Sequence, residues 1–141
     1  MRAMAISRRV ERLLSLIALE WLARLALASP FLVSGVVKLF DFAGAAEEVA
    51  GLGLRPGAPF AVVVILAQLG GSALFLTRRF CWLGAGILAG FTVIATVLAH
   101  PFWVFDGSER GRKTATFFEY VGIVGGFVMA AMLVNGRRGS P

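Results

Sequence analysis

Residues 58–77 read APFAVVVILAQLGGSALFLT. Not one of them is charged, and the run matches the roughly 20 residues that a helix needs to cross the hydrocarbon core of a bilayer. Arg55 and Pro56 stand just before it, and Arg78 and Arg79 just after it. A second uncharged run follows almost at once, from Phe80 to His100. Working outward, an earlier run covers about Trp21 to Phe40, with its uncharged centre from Leu25 to Val37. A last one covers about Thr116 to Val134, interrupted only by Glu119. Turn signals separate the four: GLGLRPGAP, then TRR, then PFWVFDGSERGRK. None shows the period-two alternation of a membrane β-barrel strand. The expected fold is therefore all-α, an integral membrane four-helix bundle forming one domain over residues 1–141.

Composition agrees and excludes much else. Of 141 residues, 58% are hydrophobic and 16% charged, and mean hydropathy is +0.82. Soluble domains carry about 25% charged residues, so neither a disordered chain nor a soluble enzyme fits. A single cysteine excludes an internal disulfide, and with a single histidine it excludes a self-contained zinc, bis-histidine haem or iron–sulfur site. No metal site and no cofactor bound by this chain alone are expected.

The net charge of +6 would suggest nucleic acid in a soluble protein. Here the cations cluster between apolar runs, where they set topology and anchor the chain to anionic lipid, so no nucleic-acid partner is expected. Arg2, Arg8, Arg9, Arg12, Arg78, Arg79, Arg137 and Arg138 fall on one side, against Lys38, Arg55, Arg110, Arg112 and Lys113 on the other. That excess places both termini in the cytoplasm. Glu20 and Arg24 interrupt what would be the apolar core of a signal peptide, and the N-terminal stretch ISRRVERLLSLIALEWL, which includes the first of them, ends at Leu22. It reads as an amphipathic segment on the inner surface that leads into the first span.

Polar residues inside spans are functional candidates, because placing them there is costly unless they are paired. Arg24 has Glu20 one turn earlier, an acid-before-base pair that makes a structural anchor. Lys38 lies on nearly the same face, about 40° short of four full turns further on, with Phe31, Ser34 and Gly35 between and Asp41 as a salt partner. Gln68 suits an interhelical hydrogen bond. The glycines of the second, third and fourth spans, Gly122 and Gly126 among them, are packing signals. His100, Glu119 and Lys38 all fall toward the end away from the termini, beside Trp103 in HPFWVF. A titratable histidine, a carboxylate, a lysine and flat aromatics suit a quinone head group. The competing reading makes them interfacial anchors and a helix cap. Cys81 and His100 are about 28 Å apart along one helix, so no nucleophilic pair forms, and Cys81 is a small buried residue.

Taken in order, ARLALASPFLVSGVVKLFDF in the first span, LGGSALFL in the second, HPFW after the third and FFEYVGIVGGF in the fourth resemble the DoxX family. The resemblance covers roughly Leu22 to Val134. It implies a four-helix multi-pass protein of the bacterial inner membrane, some of whose relatives are linked to thiosulfate:quinone oxidoreduction or to membrane complexes that handle thiol stress. The family's arginine and Ser-Gly–lysine positions fall on Arg24, Ser34, Gly35 and Lys38. A position commonly glutamate in that pattern is Gln68 here, which argues against a proton relay through the second span.

The leading expectation is a membrane subunit of a quinone-linked oxidoreductase or thiol/sulfur redox complex, with quinone near His100, Glu119, Lys38 and Trp103. Such a subunit would be inactive without a redox protein partner, because the chain shows no dinucleotide fingerprint. The alternatives are a non-enzymatic scaffold or assembly factor, and a small transporter that works as a homo-oligomer. The lipid bilayer is a partner in all three.

Overall fold

Hydropathy alone would let the four runs pack in any order; short connections and glycine contacts decide it. The computed structural model describes residues 2–139, with side chains from Ala5 onward. Met1, Ser140 and Pro141 lie outside the described residues, as does the side chain of Arg2, one of the cations counted for orientation. Seven helices are described: α1 (Arg2–Leu14), α2 (Ile17–Phe40), α3 (Phe42–Gly51), α4 (Gly57–Ile65), α5 (Gly71–Leu76), α6 (Cys81–Ala99) and α7 (Gly107–Arg138). A π-helical turn, Leu66–Gly70, joins α4 to α5, and a short 3-10 turn spans Phe102–Val104. The four membrane-spanning segments are α2, the α4–π–α5 unit, α6 and α7. No strand occurs among the described residues.

Their outer faces carry large exposed apolar side chains, such as Val33, Leu66, Trp82 and Met129. In water that would be a liability, whereas in lipid it is the natural surface. The inner faces meet around Ala28, Phe31, Phe75, Ala85, Leu88 and Phe127. Phe127 sits at the centre, its ring 5.5 Å from that of Phe31 and 5.0 Å edge-on from that of Phe75.

Three connections join the four spans and leave the two chain ends on the same side. The start of α2, the α5–α6 hairpin and the last turn of α7 share one end of the bundle, where Arg138 donates to the Arg79 carbonyl at 3.0 Å. We call this the terminal end and the opposite one the loop end. At the α5–α6 hairpin, a Cβ on Gly84 would run into the backbone of Phe75 and Gly71, so only glycine allows this close crossing.

Three features depart from the expectation. The first span starts at Ile17 rather than near Trp21. The segment after it is not a plain turn: Asp41 accepts from Gly44 N at 3.0 Å and caps the extra helix α3. The fourth helix begins at Gly107 rather than near Thr116, so SERGRK is helical. Glu109 in its first turn and Arg137 and Arg138 in its last complement the helix dipole. At about 1.5 Å per residue its 32 residues reach about 48 Å, beyond a core of about 30 Å. The excess projects at the loop end.

The proline inside α2 is accommodated locally. Pro30 has no N–H to give the carbonyl four residues back, and Ser29 Oγ donates to that carbonyl, Ala26 O, at 2.7 Å. At the N-terminus, α1 sets Ile6, Val10, Leu13 and Leu14 along one stripe and Arg8, Arg9 and Arg12 on the other face, the pattern of an interfacial helix.

Candidate functional site

At the terminal end, Arg24 is only 3% exposed. Its Nη2 donates to the carbonyls of Phe75 and Thr77, the latter at 2.9 Å, and its Nη1 lies 3.7 Å from Glu20 Oε1. Those carbonyls are left over where α5 ends, and a guanidinium suits the negative pole of a helix. Glu20 is held from its other side by Arg137 Nε at 2.8 Å. Three spans are thereby tied at one point, through Nη1 and Nη2 of Arg24, while its buried Nε has no partner. Arg24 and Glu20 make a staple rather than a reaction centre.

The loop end is different. A cavity of about 510 Å³ lies among the first three spans and α7, a volume suited to a small organic ligand. Its walls are largely apolar, from Phe31, Val49, Phe60, Val63, Phe91 and Ile123. Polar groups enter from each wall: Ser34 and Lys38 from α2, Gln68 from the π turn, and Thr92, Thr96 and His100 from the third span. The last three recur every fourth residue and therefore share a helix face. Thr92 and Thr96 return their hydroxyl hydrogens to the carbonyls of Leu88 and Thr92, both at 2.6 Å.

Gln68 sits on the π turn, an irregularity common at functional sites. Its Nε2 donates to Ser34 Oγ at 3.1 Å, while its buried Oε1 has no partner. His100 stacks on Tyr120 of α7, ring centroids 5.6 Å apart and planes 27° apart, and its buried Nδ1 also has no partner. A buried polar atom left unpaired costs about 1–3 kcal/mol; both atoms are closed off from the cavity as well as from water, so a ligand would meet them only after the side chains turn. The cation that meets the end of α6 is Lys113, whose Nζ donates to the Ala99 carbonyl at 3.0 Å.

Of the residues proposed from sequence, the structure brings His100 and Lys38 to the cavity and adds Gln68. Glu119 is not in that lining and is exposed, about 100° round α7 from Tyr120. Trp103 packs against Phe102 at 5.3 Å and Phe117 at 6.3 Å, half exposed at the surface. Lys38 pairs with Glu48 Oε2 on α3 at 2.7 Å rather than with Asp41, whose carboxylate is taken up by the helix cap. Sequence reasoning missed Tyr120 and Glu48. The fourth-residue repeat of Thr92, Thr96 and His100 was the one signal in the sequence for a polar face.

Residues 19–101 match the DoxX family, more than half of the chain. The match stops after the third span, so α7 lies beyond it, although the sequence resemblance had run to Val134. The inner membrane protein YphA of Escherichia coli (strain K12) is 24% identical over 111 residues, covering 79% of this chain and 79% of that protein. No solved structure matches.

Proposed function

The chain belongs to the DoxX family as a multi-pass protein of the inner membrane, and from that premise we propose that it is the quinone-binding membrane subunit of a redox complex. One observation carries this reading: an intramembrane cavity of about 510 Å³ with apolar walls, a lysine, a histidine stacked on a tyrosine and a glutamine. A quinone ring needs flat apolar contacts and a few polar groups at its oxygens. Phe31 and Phe91 supply the first, and His100, Lys38 and Gln68 the second.

The quinone, when bound, supplies two-electron redox chemistry, which the side chains of this chain do not. The protein's part is to hold the ring, to exclude water and to keep a titratable imidazole beside it. Electrons come from a partner protein that carries the redox cofactor. The arginine-rich terminal end faces the cytoplasm in this reading, supported by the excess of cations there. The cavity then opens in the outer half of the bilayer.

Binding of a ubiquinone to the purified protein in nanodiscs tests this. His100→Ala should weaken it about tenfold, the equivalent of one hydrogen bond of about 1.4 kcal/mol. No quinone binding by the wild-type protein would overturn the reading. One feature favours a scaffold instead: Gly122 and Gly125 face outward with open space around them, a surface to which another helix can come close. A partner retained after loss of His100 but lost in Gly122→Leu would select that alternative.

A further inference from the structure

The cavity has a side through which a ligand can enter, and it is not the watery one. At the terminal end the second and third spans are clamped, with Gly84 against the backbone of Phe75. A Cβ on Gly71 would lie 3.0 Å from the side chain of Ile87. Above the π turn this contact is lost: α4 packs on α3 and α2 and barely touches α6. Val63 of α4 and Ile94 of α6 both line the cavity, yet they are 61% and 62% exposed. Phe60 and Leu98 flank them, partly exposed as well. Residues that line a cavity and also face lipid mark an opening into the hydrocarbon.

Toward the loop end the cavity is roofed. Val49 and Leu52 cover it from α3 and the residue after it, and Leu54 from the next turn. Glu48 of the roof pairs with Lys38 of α2 at 2.7 Å. Gly57 is tucked beneath the Ala46 carbonyl, a contact that any Cβ would obstruct.

Resting on the quinone reading above, we infer that the ligand is a long-tailed prenylquinone that enters sideways, with its tail left between α4 and α6 in the bilayer. A ring without a tail would still fit, but the tail can lie only where the wall is open to lipid. Tail recognition thus belongs to Val63 and Ile94, which make no polar contact with the ring.

The test compares a polyprenyl ubiquinone with its tail-less ring in nanodiscs, using the wild-type chain and the Val63→Trp/Ile94→Trp variant. Both positions face lipid, and an unchanged melting profile verifies the fold. The expected result is at least tenfold weaker binding of the long-tailed compound with tail-less binding unchanged. Equal losses for both compounds, or no loss for either, would overturn the lateral entry. If the wild-type chain binds neither, the quinone reading falls by itself. The opening is then decided by Ala95→Cys, within the cavity: fast labelling by a membrane-impermeant thiosulfonate would show a path from water and overturn the inference, whereas protection supports it.

Discussion

Replacing Arg24 by methionine would keep most of its apolar stem and remove the guanidinium. Two helix-end carbonyls, Phe75 and Thr77, would lose their donor, and Glu20 would keep only Arg137. Removing one partner of a buried ion pair costs about 3–5 kcal/mol in soluble proteins. Interhelical hydrogen bonds in membranes average only about 0.6 kcal/mol, because the unfolded chain finds other partners there. With Glu20 still paired, the expected loss is about 2–3 kcal/mol, between those limits. Adding Glu20→Gln removes the charge left half-satisfied and should recover about 1 kcal/mol. Arg24→Lys should restore little, since one ammonium cannot reproduce the forked contacts to two carbonyls and a carboxylate. Reversible unfolding in bicelles by titration with dodecyl sulfate, followed by circular dichroism, measures all three. A loss below about 0.5 kcal/mol for Arg24→Met, the level of an ordinary surface change, would refute the staple.

Gly84→Ala should destabilise by about 1–3 kcal/mol as the crowded hairpin moves apart, whereas Gly86→Ala, with open space around it, should leave stability unchanged or raise it by up to about 1 kcal/mol. A difference in melting temperature between the two variants is the readout, and identical behaviour would count against the close crossing. Glu48→Gln should change stability by less than about 1 kcal/mol, because Glu48 is 58% exposed and such pairs are weak. A larger loss in the same unfolding assay would mean that the roof depends on this pair.

The spans were legible because about 20 apolar residues in a row leave little choice in a bilayer. The staple was legible too, since Glu20 and Arg24 are one turn apart. The cavity was less so, and the reason is rotational. Adjacent residues on a helix point about 100° apart, so Tyr120 faces His100 while Glu119, one position earlier, is exposed. Nothing in the fourth span's apolar pattern fixes that rotation: most of it is lipid-facing, with Phe127 and Val134 its fully buried anchors. Lys38 was matched to the wrong acid for a similar reason. Asp41 is nearer in sequence, but it begins a helix that hydropathy does not reveal and that brings Glu48 over the cavity. The π turn left no trace in the sequence, because a wider turn and a regular one can carry the same apolar residues.

That π turn holds an extra residue in the second span. It gives the chain more residues per turn than a regular helix just where Gln68 sits, with Ser72 Oγ donating back to the Gln68 carbonyl. Removing one residue from Leu66–Gly70 would not break the helix; it would regularise it. The wide turn absorbs the extra residue while the flanking halves keep the rotation of a continuous helix, so it is the side chains inside the turn, Gln68 among them, that would be re-aimed. With Gly71 and Phe75 held in the hairpin, Val63 and the cavity wall would stay in place while the group presented from the turn changed. In this span the count of residues, as much as their kind, sets which polar group the cavity meets.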